Sequence, residues 1–434
     1  MSLTIPSRRG FLLGLGAVAV PVVLAGCGFT QQSSPSGRTD TLTFTTWGTD
    51  AELAGFRAAI AAFEEANPGS TVELNAVPYE QMFTNIDAQL QAGNPPDIFR
   101  VPYYTFGAYA GRGQLLDLSP HLTSGRQDAF TPQAWAAVQN GEGTYGLPHH
   151  TDTSAILVNR DLMTAAGVTE IPERIEDAWT WEELAAIGDR LKAGLPAGTS
   201  PWAYNWQGNG VTRWLSLLFQ ADGAFLDADQ VTPLIDSDAG RAAVEFSSSF
   251  FSSGYVPANN TIASSSYASE SWFSQSVAMV WSGAFQLPDA QDTASFDWTA
   301  TYAPRGVRGG GDFGGNALVA TADTAQPELA AAFLEFVTDA DPMRDFCRAA
   351  SLLPTRGDLL NDDLEFDVRS ELAPIFAAQA GVVQAQDVAQ VASPSMSAII
   401  PVLKEQLDLA FAGSQDAATT VANLSSGIAA ATGA

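Results

Sequence analysis

Leu42-Thr43-Phe44-Thr45-Thr46-Trp47 is a run of β-branched and aromatic residues that stops at Gly48, and the residues beyond it alternate between two hydrophobic periods. The run itself predicts a strand. Thr49-Asp50-Ala51-Glu52 then has the spacing of a helix capping box, and Leu53, Phe56, Ile60 and Phe63 recur at helical intervals until Asn67-Pro68-Gly69 breaks the pattern. A second strand is predicted from Thr71 to Val77. Met82, Ile86 and Leu90 mark a second amphipathic helix, and Pro95-Pro96 turns the chain into a third short strand, Asp97-Ile98-Phe99-Arg100-Val101. The order β-α-β-α-β implies an α/β fold with a parallel sheet covered by helices.

The same grammar returns downstream. Ala155-Ile156-Leu157-Val158 reads as a buried strand, and Thr180-Trp181-Glu182-Glu183 as a second capping box whose helix continues through Leu184, Ile187 and Leu191. Ala317 to Ala320 reads as another strand, and Pro327 opens a helix with Leu329, Phe333 and Phe336 on one side. No short repeat of the solenoid type is present.

Upstream of the first strand the chain carries an address. Ser7-Arg8-Arg9-Gly10-Phe11-Leu12 precedes an apolar run ending in Leu24-Ala25-Gly26-Cys27, too short and too rich in Gly and Ala for a comfortable membrane span of ~20 apolar residues. Residues 1–26 are therefore expected to be a cleaved export signal. Leu-Ala-Gly-Cys resembles the bacterial lipobox, which implies lipidation of Cys27, and the arginine pair resembles the twin-arginine export signal; a general export signal is the alternative. Residues 27–40, rich in Ser, Gln, Gly and Pro, are expected to be a flexible tether. With Cys27 lipidated, Cys347 is the one thiol left, so no intramolecular disulfide is expected and stability must come from the core.

Removing Arg8 and Arg9 with the signal leaves 18 basic against 48 acidic residues. That balance makes nucleic acid a poor partner. A solvated acidic surface that favours solubility accounts for most of the charge.

Several segments, in this order, resemble the family 1 extracellular solute-binding proteins, the maltose-type group. They are Phe63-Glu64-Glu65-Ala66-Asn67-Pro68-Gly69, Asn94-Pro95-Pro96-Asp97-Ile98, Tyr145-Gly146-Leu147-Pro148 with Ala155 to Leu162, Trp179 to Leu184, Val277 to Gly283, Gly314 to Leu318, and Leu353-Pro354-Thr355-Arg356. The resemblance implies a two-lobe periplasmic-binding-protein type II fold with hinge strands and a ligand cleft between the lobes. Lobe one is placed at 41–150 plus 313–352, and lobe two at 151–312 plus 353–434. It also implies a sugar or oligosaccharide ligand and, as partners, an ABC permease with its ATPase. The protein would be a monomer held by Cys27 on the outer face of the cytoplasmic membrane, with no cofactor and no catalysis.

A sugar presents apolar C–H faces and a ring of hydroxyls, so its site needs flat aromatics and planar polar groups. Trp47, at the carboxyl end of the first strand, is a candidate platform, with a core position as the alternative. Asp97 and Glu80 are candidate carboxylates; turn and helix-start roles are theirs otherwise. His149, His150 and Asp152 fall where the resemblance puts the first crossing between lobes; adjacent His residues on an extended segment point different ways and do not easily chelate one ion, so no metal is expected, and His149 and Asp152 are taken as ligand contacts. Trp206, within the cluster Trp202, Tyr204, Trp206 and Gln207, is expected in a loop as a stacking platform, with a satisfied core position as the alternative, and Trp281 is expected to end a strand before a turn at Ser282-Gly283 that leaves a ring face open. Gly315 and Asn316 would bring backbone close to a ligand, or serve as a plain hinge, and Arg356 would donate a fork of hydrogen bonds, with a surface salt bridge as the alternative.

Two other readings remain at this level. A polyamine or other cationic solute would suit the acidic charge. A secreted glycoside hydrolase needs two carboxylates, which any acidic chain supplies, but no nucleophile elbow, metalloprotease helix or phosphate-binding loop is present.

Overall fold

The computed structural model describes residues 40–264, 266–360 and 364–434. The export signal, Cys27 and the tether up to residue 39 lie outside the described residues. The described residues form one compact unit.

The opening segments fold as their periodicity dictates. Strand Asp40–Thr46 leads to helix Asp50–Ala66, where Thr49 and Glu52 form a reciprocal capping box and Phe56, Ile60 and Phe63 are buried. Strand Ser70–Ala76, helix Tyr79–Gln91 and strand Ile98–Pro102 follow. The first strand pairs in parallel with both of the others. Later strands change the expected pattern: Asn316–Ala320 pairs antiparallel with Ile98–Pro102 and with Leu147–Thr151, and Leu353–Pro354 adds an antiparallel edge. The six-stranded sheet is therefore mixed rather than wholly parallel. Parallel pairing needs a covering crossover, which the first three strands have; the later strands return from a distant part of the chain and enter from the opposite end.

A second sheet has four strands: Trp298–Thr301, Ser154–Asn159, Val277–Gly283 and Ser200–Tyr204, in that order. Leu147–Thr151 in the first sheet is followed almost directly by Ser154–Asn159 in the second, and Trp298–Thr301 in the second sheet is followed by Asn316–Ala320 in the first. Two segments thus cross between the sheets. They are tied side by side: Gly314 N–H donates to Asp152 O at 2.9 Å and Ser154 N–H donates to Asp312 Oδ1 at 2.7 Å.

Both faces of the first sheet are covered. Leu42, Phe44, Ile98 and Leu318 pack with Phe56, Phe63, Phe333 and Phe346, while Phe99, Val101, Ala317 and Val319 pack with Met82, Ile86 and Phe106. The central strands Ile98–Pro102 and Asn316–Ala320 are accordingly buried along their whole length. The second sheet packs on helices that include Trp181–Gly194, capped by Thr180 and Glu183 as the spacing predicts, and Asp238–Ser252, with Met396–Phe411 and Ala417–Thr432 adding to the same core.

Candidate functional site

A cleft of about 580 Å³ lies where the two crossing segments meet, lined on one side by the first sheet and on the other by loops and short helices that follow strands of the second. The first sheet contributes residues just past its strand ends, including Trp47 after the first strand and Tyr79 and Glu80 after the second. Ligand sites of α/β sheets form at such carboxyl ends. The opposite wall comes from Gln207 and the short helical segment Gly208–Trp214, together with Tyr267, Glu270 and Phe285. The Tyr79 and Tyr104 hydroxyls hydrogen-bond to one another on the cleft wall. Lys404 Nζ donates to Asn209 Oδ1 at 2.9 Å and so holds the facing wall.

Arg100 organises the first-sheet side. It stands in the middle of an apolar strand with 2% of its surface exposed. Its Nη2 reaches Glu52 Oε1 at 2.5 Å and His150 Nε2 at 3.0 Å, and its Nη1 donates to Trp47 O at 2.8 Å. The guanidinium also lies 4.6 Å from the centre of the Trp47 ring, a cation–π contact. Tyr79 and Phe83 close on the same indole at 5.2 and 5.7 Å. Glu52 links this group to the helix cap, because its Oε2 accepts from Thr49 N–H.

A second charged group joins the crossing segments. Arg213 Nη2 lies 3.6 Å from Asp152 Oδ2, and its Nε lies 3.4 Å from Asp312 Oδ2. One guanidinium thus faces two buried carboxylates. Burial pushes the Asp152 carboxyl up to about 7, partly offset by Arg213 and reinforced by Asp312; burial raises Asp312 as well. The excess negative charge can be relieved by a proton or by a ligand's donors.

Of the residues singled out in the sequence, Trp47, Glu80, Asp152, Gly315 and Asn316 line this cleft, as do His150 and Gln207, named there beside His149 and Trp206. The others do not. Asp97 sits at the amino end of its strand, with its carboxylate accepting from Thr43 N–H, Thr43 Oγ1 and Thr324 Oγ1. His149 is buried, stacked on Phe56 with ring centres 5.2 Å apart. Arg356 is held by Asp358 and lies away from the cleft. Trp206 is fully buried between Tyr204 and Phe411, its indole N–H donating to Asn260 O at 2.9 Å. Trp206 lies, as expected, in the loop after strand Ser200–Tyr204, whereas Trp202 and Tyr204 of the same cluster stand on that strand, where their alternation is a period-2 signal. Trp281 is likewise core, packed against Tyr204 and Trp202, because its strand continues through Gly283 instead of turning at Ser282. The adjacent histidines also depart from expectation: the pairing of Asn316 with His150 but Ala317 with Pro148 makes His149 the extra residue of a β-bulge. That brings Nδ1 of His149 and Nδ1 of His150 to 3.0 Å instead of pointing the rings apart.

Arg100, Arg213, Asp312 and Tyr267 are cleft residues that the sequence reading did not single out for ligand contact. Arg100 left a signal, a charge inside the apolar run Ile98 to Val101, since a buried Arg needs partners. Arg213 lies in a short helical segment and Asp312 in an irregular one, neither with a periodicity to mark it. Among the described residues no cluster of three or more His, Cys, Asp or Glu suits a metal ion, and no helix is long and apolar enough to cross a membrane.

Comparison with known proteins places these features in a lineage. Residues 47–344 match the family model described as bacterial extracellular solute-binding protein. The galactooligosaccharide-binding protein of Bacillus subtilis is 25% identical over 173 residues, 40% of each chain. The diacetylchitobiose binding protein DasA of Streptomyces coelicolor is 24% identical over 193 residues, 43% of this chain and 44% of that one. These alignments span about two fifths of the curated relatives' length. The fold match extends further: the GacH receptor of Streptomyces glaucescens, solved unliganded and with acarbose, superposes with a TM-score of 0.73 at 22% identity, over 89% of this chain and 96% of that chain. The cyclic α-maltosyl-1,6-maltose binding protein of Arthrobacter globiformis gives 0.72 at 16% identity, over 90% and 98%. With the family model covering well over half of its length, the chain belongs to the bacterial extracellular solute-binding proteins.

Proposed function

We propose that this protein captures a sugar or short oligosaccharide in the cleft and delivers it to a membrane permease driven by ATPase subunits. One observation carries this reading: the cleft joins aromatic faces (Trp47, Tyr79, Tyr267, Phe285) with planar polar groups (Arg213, Gln207, Asn209, Asn316) drawn from both of its walls. Such a mixture suits a ligand with apolar faces and a rim of hydroxyls. Trp47, Glu80, Asp152, Gly315 and Asn316 are the ligand contacts carried forward from the sequence, joined by Arg213. The relatives named for galactooligosaccharide and diacetylchitobiose support the same ligand class.

The lobes are assigned as one around each sheet, and the crossings near Asp152 and Asp312 act as the hinge. A ligand touching both walls would favour the closed arrangement by its extra contacts there. The chain works as a monomeric binding protein without turnover, anchored through Cys27 outside the cytoplasmic membrane.

A thermal-shift screen of the chain lacking its export signal tests this against mono- and oligosaccharides, polyamines and glycoside substrates. Ligand at about 100 times its dissociation constant adds ~2.7 kcal/mol of stability. A rise with one sugar class supports the proposal. A rise with a polyamine alone, which the cleft carboxylates Glu80, Asp152, Glu270 and Asp289 would suit, replaces the ligand. Release of product from any glycoside overturns the binding-only role.

A further inference from the structure

The hydrogen bonds beneath the cleft permit one arrangement of protons. A guanidinium only donates, so His150 Nε2, 3.0 Å from Arg100 Nη2, must be an acceptor without a proton. Burial, and then the charge of Arg100, hold the His150 imidazole well below its ordinary pKa, so the ring is neutral and its proton sits on Nδ1. That N–H faces His149 Nδ1 at 3.0 Å, which must accept and leaves the His149 proton on Nε2. Asn316 Nδ2 also lies 3.0 Å from His150 Nε2. An acceptor there can be met by the amide's NH₂ but not by its carbonyl. The side chain of Asn316, on the cleft wall and nine-tenths buried, is thereby turned so that Oδ1, itself shielded from solvent and without a partner among the described residues, is the one acceptor of the amide left for a ligand's donor to meet.

We infer that Arg100 is a positioning residue that sets the polarity of the cleft floor: through His150 it fixes Asn316 as a hydrogen-bond acceptor, and directly it fixes the Trp47 platform. The floor then selects a ligand group that donates, a hydroxyl or an ammonium, and rejects an ether oxygen or a carboxylate at that place. This rests on the proposed sugar-binding role only for the identity of the ligand. The direct hold on Trp47 is the bond from Nη1 to its carbonyl and the cation–π contact on its ring. Both cleft residues are thus governed by one buried cation.

Nitrogen NMR of protein labelled with ¹⁵N-histidine reads the tautomers without any ligand. The chain has three histidines, and His121→Gln removes the signal of the third. The expected spectrum has His150 protonated on Nδ1 and His149 on Nε2, with slow exchange of the Asn316 side-chain NH₂. A His150 proton on Nε2, or a charged His150 ring, overturns the inference. In folded Arg100→Lys, which replaces the fork by a single ammonium, the His150 tautomer is expected to become mixed and the Asn316 amide to lose protection; no change in either overturns the role of Arg100. Asn316→Leu, titrated with maltose, galactobiose and chitobiose, is expected to lose about tenfold in affinity for whichever sugar binds the parent, and unchanged affinity overturns the acceptor role. Should none of these sugars bind the parent, the sugar reading fails, while the tautomers still decide the polarity of the floor.

Discussion

Trp47 and Trp206 show how the same side chain takes opposite parts. Trp206 is enclosed by Tyr204, Phe251 and Phe411 and has its N–H satisfied by a backbone carbonyl. Trp47 lines the cleft, half-buried, with Arg100 beneath its ring. Trp206→Ala opens a cavity in the second-sheet core and is expected to cost ~3–5 kcal/mol of stability with little effect on the affinity of molecules that remain folded. Trp47→Ala is expected to lower affinity at least about tenfold, with a smaller loss of stability. Denaturant unfolding and calorimetric titration of the two variants separate these effects. An unchanged affinity in Trp47→Ala would remove the platform. Residue type alone gave no means of telling the two apart, because a Trp is a large apolar surface in either setting. What distinguishes them is the element each stands on: Trp47 lies just beyond the end of its strand, whereas Trp206 follows a strand buried on both faces.

Elements were more legible than sites. Both capping boxes formed where Thr and Glu stand three apart, since that spacing satisfies two orphan amides reciprocally whatever the tertiary setting. Thr180→Ala, far from the cleft, is accordingly expected to cost ~1 kcal/mol and leave binding intact. The bulge at His149 was not legible, because it depends on a partner strand more than 160 residues away in the chain. Gly315 belongs to that bulge: its backbone has φ +96°, and a Cβ there would lie 2.3 Å from His150 O. Gly315→Ala must therefore strain its own backbone and also push apart the strands that carry His150 and Asn316. Its expected signature is loss of both stability and affinity, measured by the same unfolding and titration experiments. Loss of stability alone would mean that the cleft tolerates the shift.

At the scale of the whole molecule, α/β order and two-lobe resemblance were readable because they follow from hydrophobic period and segment order, while the charges that meet at the crossings come from segments distant in the chain. Those charges give the fold a pH dependence with two opposed parts. His149 is held down to about 3 by burial and then by Arg100, below its ordinary value near 6.5, so the folded state resists protonation. The stability this contributes is complete above about pH 6.5 and is lost as pH falls towards 3, where the unfolded chain gains the proton first. Asp152 runs the other way. Its folded value of about 7 exceeds the usual 3.8, so its contribution is complete below about pH 4 and is lost as pH rises through 7, where the carboxylate must ionise in a buried site beside Asp312. Asp152→Asn keeps the shape and cannot ionise. The difference in melting temperature, variant minus parent, is therefore expected to become more positive between about pH 4 and about pH 8 in ligand-free protein. A difference that stays flat across that window would show that Arg213 already compensates both carboxylates. In that case Asp152 enters the binding site fully charged at every pH in the window, and the cleft has no excess of negative charge for a ligand's donors to relieve.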